Sequence, residues 1–304
     1  MNQYQHRSVL LEEAIDFLNV KPEGIYLDAT LGDGGHTQAL LKKGAKVIAI
    51  DQDPEAISRA HDRLKATCPG INIKLDTGLP VTAMESSDCL IVRANFAQLA
   101  EVIKLKFNGI LFDLGVSTVQ ILKPERGFTF QSDGPLDMRM DPELAVTAAD
   151  LLQALSQKEL TRLIMELGDE PYAAKIAKKI AITRQRTPIV STFQLAELIS
   201  RIKPHGKIHP ATKTFQALRM AVNQERDSLR NALPAATNLL KKDGRLVIIS
   251  FHSGEDRIVK HYLKEAADRQ ELQILTSKPI KPNELEINNN PRARSAKLRA
   301  AQKK

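Results

Sequence analysis

Short apolar runs of strand length recur along the chain at Ile25 to Ala29, Val47 to Ile50, Cys89 to Val92, Ile110 to Phe112 and Leu246 to Ser250. Amphipathic stretches separate them, among them Pro54 to Ala66, which has helical spacing after an Asp-Pro start. Strands alternating with helices predict a mostly parallel sheet with crossover helices. Ile71 to Asp88 is irregular and polar and reads as an insertion. After Asp113 the rhythm breaks. Thr147 to Ile202 is almost wholly helical in pattern, with stops near Gly168, Pro171 and Pro188. Within it Ala173 to Arg186 reads as one helix with Ala173, Ile176, Ala177 and Ile180 on its apolar face. Phe215, Leu218 and Val222, also at helical spacing, read as core. Because Leu246 to Ser250 resumes the strand character, a helical domain is expected between the fourth and fifth of these strands. The expected organisation is a first core part at 1–134, an inserted helical substrate-recognition domain at 135–212, and a second core part at 213–304 with a basic C-terminal arm.

Composition adds compartment and partner. The chain has 304 residues, enough to bury a large core, and only two cysteines, Cys68 and Cys89, without metal-ligand spacing. That usage points to a reducing compartment, with the cytoplasm expected, and no apolar run reaches the length of a membrane span. The formal charge of +8 is concentrated. Tyr172 to Lys207 carries +7 and Asn288 to Lys304 carries +6, so the remainder is acidic. Two such clusters fit a phosphate-rich partner, and solvated basic faces are the alternative. Lys175, Lys178, Lys179 and Arg186 form the first cationic surface. Arg292, Arg294, Lys297 and Arg299 form the second, as an arm or as the charged edge of a strand. With aromatics at 4% and no Trp, phosphate contacts rather than base stacking should dominate.

The chemistry begins where the first strand meets a glycine turn. Ile25 to Ala29 runs into Thr30-Leu31-Gly32-Asp33-Gly34-Gly35-His36-Thr37, with a helix expected from near Gln38. Glycines permit a sharp turn and close backbone approach to a ligand, and the helix N-terminus behind them presents free N–H groups. Asp28 precedes the turn. Asp51 ends the second strand 23 residues later, where a carboxylate accepts both hydroxyls of a ribose. A dinucleotide fold would place a third glycine where this chain has Thr37, so the spacing favours S-adenosylmethionine. Asp53, before Pro54, reads as a helix cap.

Several long motifs run along the chain: HRSVLLEE from His6, GDGGHT at Gly32 to Thr37, DLGVS at Asp113 to Ser117, ERGFTFQSDGPLDMRMD at Glu125 to Asp141, TFQALRMAVNQE at Thr214 to Glu225, ISFHSGEDRIVK at Ile249 to Lys260 and NPRARSAKLRA at Asn290 to Ala300. Together, over nearly the whole chain, they resemble the ribosomal RNA small-subunit methyltransferase H family, also called MraW. The resemblance implies a Rossmann-like class I methyltransferase sheet carrying an inserted all-helical domain. It also implies methylation of a cytidine N4 amino group in 16S rRNA of the small ribosomal subunit, by a monomer or homodimer. Carried over motif by motif, Gly34, Gly35, His36, Asp51, Phe96, Asp113 and Gln120 would line the S-adenosylmethionine site. The chain departs from the pattern at Gly254, where the family has leucine, and in the extra residues at Ile71 to Asp88.

Methyl transfer needs no covalent nucleophile; the protein must position the groups and manage one proton. Asp113, at the carboxyl end of the fourth expected strand, stands where an acceptor for the amino group belongs, although the Asp/Asn-Pro-Pro-Tyr of many amino-methyltransferases is Asp113-Leu114-Gly115-Val116 here. Asp137 is the second catalytic candidate, in a loop with Asp133, Arg139 and Asp141 that faces substrate or is internally ion-paired. Arg139 and His252 are candidate RNA contacts with the two basic surfaces. His252, Ser253, Glu255 and Asp256 are too close in sequence for a hydrolase triad, and His209 and His6 read as structural or RNA-facing. Two other classes compete with the methyltransferase: a dinucleotide oxidoreductase, and an RNA-binding assembly factor without turnover.

Overall fold

The computed structural model describes residues 8–76, 78–84, 87–204, 206 and 208–304, so His6 lies outside the described residues. Its eight strands are β1 (Ile25–Asp28), β2 (Lys46–Asp51), β3 (Ile73–Asp76), β4 (Cys89–Arg93), β5 (Phe107–Asp113), β6 (Leu240–Ser250), β7 (Leu272–Ile274) and β8 (Lys297–Lys303). They form one sheet in the order β3-β4-β2-β1-β5-β6-β8-β7. Pairing is parallel from β3 to β6, and β8 runs antiparallel to both β6 and β7. The strand order reverses beside β1, so the carboxyl ends of β1, β2 and β5 meet at a topological switch point, where doubly wound sheets hold ligands.

The chain divides into two compact units, residues 1–115 with 226–304 and residues 116–225. The first contains the sheet. Its helices are α1 (Leu11–Leu18), α2 (Gly35–Lys42), α3 (Pro54–Thr67) and α4 (Leu99–Val102). In the second unit α5 (Thr118–Leu122), α6 (Ala148–Ala154), α7 (Gln157–Gly168), α8 (Ala173–Arg184), α9 (Thr192–Ser200) and α10 (Thr212–Val222) succeed one another. The chain continues through α11 (Glu225–Leu239), α12 (Ser253–Asp268) and α13 (Glu284–Asn289). No helix among the described residues is long and apolar enough to cross a membrane.

The expected strands are continuous apolar runs because both faces of the sheet are covered. Leu27, Ile48, Ile50, Val92, Ile110, Phe112, Leu246 and Ile248 pack on one face with α4, α11 and α12. Tyr26, Val47, Ala49, Ile91, Leu111, Val247 and Ile249 pack on the other with α1, α2 and α3.

Three expectations need correction. Ile71 to Asp88 is not wholly irregular: Ile73 to Asp76 is strand β3, paired with β4 at the edge of the sheet. Helix α2 begins at Gly35 rather than near Gln38, taking His36 and Thr37 into its first turn. The helical unit also takes in more chain on both sides than residues 135–212, because α10 and the aromatic residues Phe128 and Phe130 pack on its core.

That second core is built from Leu136, Ile164, Ile176, Ile180, Leu195, Phe215, Leu218 and Val222 among others. Phe215 is 4% exposed and meets Phe130 edge-to-face at 4.8 Å, while His209 stacks on the same Phe130 ring at 4.5 Å. Replacing Phe215 with alanine removes a buried ring and leaves a cavity, so stability should fall by about 3–5 kcal/mol. Replacing Met165, 53% exposed on α7, with alanine should change it by no more than about 0.5 kcal/mol. Denaturant unfolding of the two variants checks this, and equal effects would mean that the Phe215 ring is not core.

Candidate cofactor and methyl-transfer site

Asp28 is buried at the carboxyl end of β1. Its Oδ1 accepts from Thr30 N at 3.2 Å and its Oδ2 from the Thr37 hydroxyl at 2.7 Å, so it ties both ends of the glycine turn to the sheet. The turn is fixed to both neighbouring strands as well. Leu31 N donates to Ile50 O at 2.9 Å, and Thr30 Oγ1 accepts from Asp113 N at 2.6 Å. Gly32 and Gly34 lie in the left-handed region at φ 52° and 76°, where glycine carries no side-chain penalty. A Cβ on Gly35 would come within 2.0 Å of the Ser8 hydroxyl oxygen, so any other residue there requires that hydroxyl to turn away.

Asp51 receives two backbone N–H groups, Gly32 N on Oδ2 at 2.8 Å and Asp53 N on Oδ1 at 2.9 Å. Asp53 caps α3 as expected by accepting from Glu55 N. From α3, Arg59 Nε meets Asp33 Oδ1 at 3.0 Å, and Arg63 donates to Asp33 O and to Gln38 Oε1. These arginines clamp the turn. The motifs do not include them, and their one-turn spacing on the helix after Asp51 is the signal that could have found them.

Asp113 ends β5 with its side chain 19% exposed, and its Oδ2 lies 3.6 Å from Nδ1 of the buried His36. That separation is an ion-pair contact when the imidazole is protonated and too long for a hydrogen bond. Asp113 Oδ1 is buried and meets no hydrogen-bond partner among the described residues. Burial, followed by the charges of Asp28 and Glu255, pushes the Asp113 carboxyl well above its ordinary range. Burial likewise lifts Asp28 and Asp51 to about 6, against the hydrogen bonds that each accepts. Phe96 follows β4 in a 3-10 turn, edge-to-face with Phe112 at 5.8 Å. Its segment is fastened beside Asp51 by Ala94 N to Asp51 O at 2.9 Å and Asn95 Nδ2 to Gln52 Oε1 at 2.7 Å. Gly34, Gly35, His36, Asp51, Phe96 and Asp113 therefore all belong to turns, strand ends or the first turn of α2, on the carboxyl side of the parallel strands.

The other sequence candidates lie elsewhere or are differently employed. Gln120 is in the helical unit, where it completes a capping box with Ser117. Asp137 and Arg139 pair fork to fork, at 2.8 and 2.7 Å, and the Arg139 guanidinium also donates to Pro142 O and Leu144 O. Burial raises the Asp137 carboxyl, but the Arg139 bonds and the Arg139 and Arg126 charges outweigh it and leave it below its ordinary value. Both residues thus shape their own loop. An ion-paired carboxyl held below its ordinary value is a weaker proton acceptor, and most of the Arg139 donors are spent inside the loop. Asp133 is likewise occupied, by Gly134 N and Phe193 N.

His252 is the N-cap of α12, its Nδ1 accepting from Gly254 N and Glu255 N and its Nε2 3.2 Å from Glu255 Oε1. It is a helix cap, not an outward RNA contact. A Cβ on Gly254 would meet Arg226 Nη2 at 2.9 Å, so a leucine there requires that guanidinium to move. Lys175, Lys178 and Lys179 are exposed on α8, opposite buried Ala173, Ile176, Ala177 and Ile180. Arg292 and Arg294 are exposed on a 3-10 turn anchored by buried Ala293. Lys297 and Arg299 leave the expected arm, because both pair with Asp256 at 3.1 and 2.7 Å, and β8 lies inside the sheet rather than at its edge.

A model of the MraW methylase family matches residues 3–304. A protein of Acidobacterium capsulatum named ribosomal RNA small subunit methyltransferase H is 45% identical over 311 residues, covering 100% of each chain. Proteins of the same name from Trichlorobacter lovleyi and Caldicellulosiruptor saccharolyticus are 43% identical over 330 and 324 residues, covering 100% and 99% of this chain and 99% of their own. With a family model over almost its full length and relatives aligned end to end, the chain belongs to the MraW methylase family.

Proposed function

We propose that this protein methylates the N4 amino group of a decoding-centre cytidine in small-subunit ribosomal RNA, using S-adenosylmethionine. The observation that carries the reading is the meeting of Asp28, Asp51 and Asp113 around one glycine turn at the switch point of the sheet. The residues fit the cofactor. Each Asp51 oxygen already accepts one N–H, which aims its remaining lone pairs, and two ribose hydroxyls would use them. Gly34 and Gly35 keep the backbone open to close approach, His36 and Phe96 wall the site, and Gln120 belongs to the set through its motif alone. Bound S-adenosylmethionine supplies an electrophilic methyl on a sulfonium.

What remains for the chain is the proton. The cytosine amino lone pair is delocalised into its ring. An acceptor for one N–H on the Asp113 carboxylate, whose side chain is 19% exposed, favours the form that attacks. Once the nitrogen is methylated it becomes cationic and sheds a proton, and a carboxylate whose proton affinity is raised by burial is suited to take it. Lys175, Lys178, Lys179, Arg292 and Arg294 would meet RNA phosphates. Methyl transfer from tritiated cofactor to small subunits, followed by mass spectrometry of the rRNA, tests the whole reading. RNA binding without turnover would replace it with an assembly factor.

Asp51→Ala should weaken cofactor binding by about 1.5–3 kcal/mol, the worth of charge-assisted bonds to a ribose, with the fold intact. Since Asp51 gains its proton near pH 6 and a neutral carboxyl accepts less well, wild-type affinity should fall as pH drops through about 6. Calorimetry across that range should find the trend lost in Asp51→Asn; unchanged affinity in the folded alanine variant would remove Asp51 from the site.

Asp113→Ala should lower turnover by roughly 10²–10⁴-fold, the usual loss of a positioned base, with little change in melting temperature. Wild-type turnover would refute the assignment.

Replacing Lys175, Lys178 and Lys179 by Gln should weaken small-subunit binding. The slope of log affinity against log salt should fall by about 2–3, roughly 0.7–0.9 for each phosphate no longer neutralised. Filter binding at several salt concentrations measures it. An unchanged slope would show a solvated face.

A further inference from the structure

At the amino ends of β1 and β5, the end of the sheet away from the acids, lies a concave feature. It is a cavity of about 130 Å³ whose lining includes Lys21, Tyr26, Asn108, Lys242, Arg245 and Gln302. Asn108 and Asp113 stand five residues apart on β5, which places this cavity about 17 Å along the strand from the carboxylates.

Its cations are uncommitted. Lys21, Lys242 and Arg245 have no side-chain hydrogen bond or ion pair among the described residues, and Arg245 Nε is buried without an acceptor. Arg245, partly buried, immediately precedes the buried run of β6, in register with Gly109 of β5 and Gln302 of β8. Asn108 Oδ1 is used by Ile25 N at 3.0 Å and Lys241 Nζ at 3.1 Å, but its amide nitrogen donates to none of the described residues. One acid, Asp243, also lines the cavity, and its Oδ1 is held by Gln302 Nε2 at 2.8 Å. Three cations against one tethered carboxylate leave a surplus of positive charge. A partly desolvated guanidinium without a counter-charge is costly, and an anion offsets that cost.

We propose that this cavity is an oxyanion site for a single phosphate group, separate from the methyl-transfer site and independent of the reading given to it. The volume accommodates about four waters at ~30 Å³ each, enough for one tetrahedral anion. The planar Arg245 fork would receive two oxygens, with Lys21, Lys242 and the Asn108 amide closing around the others. The group is either free inorganic phosphate or a phosphodiester of an RNA backbone.

Phosphorus NMR titrations at fixed ionic strength, with inorganic phosphate in one arm and dimethyl phosphate in the other, separate these sources. Saturable binding is expected in at least one arm, weakened at least tenfold by Arg245→Gln and several-fold by Lys242→Gln. The Lys175, Lys178 and Lys179 glutamine variant should match wild type. Stronger binding of dimethyl phosphate identifies an RNA backbone as the source, and stronger binding of inorganic phosphate a free ion. Should Arg245→Gln not fold, Lys242→Gln and Lys21→Gln, both at exposed positions, carry the comparison. The proposal is overturned if neither probe saturates, or if the folded variants bind as wild type does.

Discussion

Three carboxylates gathered at the ends of three adjacent strands set the terms for the rest of the catalytic unit. Burial disfavours their charge, and they repel one another: Asp28 raises both Asp51 and Asp113. A carboxyl raised to about 6 from an ordinary 3.8 stabilises the fold fully only below that ordinary value, and the contribution is lost as pH rises through about 6. At neutral pH the unliganded fold therefore carries ionised acids at a cost. The glycine turn offsets part of it. Thr30, Thr37, Gly32 and Asp53 each direct a donor at Asp28 or Asp51, and Arg59 and Arg63 hold the turn itself. Asp113 receives no such support on Oδ1, so burial acts on it unopposed there.

The sheet was largely legible in the sequence because its central strands are buried on both faces and so read as unbroken apolar runs. Strand β3 was not. Ile73 and Leu75 alternate there with Lys74 and Asp76, and Leu75 is 53% exposed, so an edge strand four residues long looks like polar loop. Helix α2 was placed late for a related reason. Gly34 and Gly35 score as turn residues, yet Gly34 in its left-handed conformation is the N-cap from which the helix starts.

Around the candidate site, acids at strand ends are marked by local sequence, whereas pairings with distant partners leave no local signal. Asp28, Asp51 and Asp113 announce themselves at strand ends. Counting charges placed Lys297 and Arg299 in a cationic arm, but their partner Asp256 lies about forty residues earlier in the chain and no local window contains both. Asp137 and Arg139 posed the opposite problem: two residues apart, they could face a ligand or each other, and only the fork-to-fork geometry decides. His252 was misread because an imidazole seldom caps a helix, and here its Nδ1 takes the place that a serine or aspartate oxygen usually fills.

The position of β8 bears on how the chain is made. The strand at Lys297–Lys303 lies between β6 and β7, so β7 has no neighbour and β6 an open flank until those residues have been synthesised. The helical unit, by contrast, is one uninterrupted stretch, 116–225, with its own hydrophobic core. Vectorial synthesis thus releases a module able to condense early while the half-sheet before it waits. The glycine turn, assembled against β1, β2 and β5, emerges long before the strand that closes the sheet beyond β6. Translation order makes the nascent enzyme a bundle with an unfinished sheet, exposed to premature edge pairing until β8 has been made.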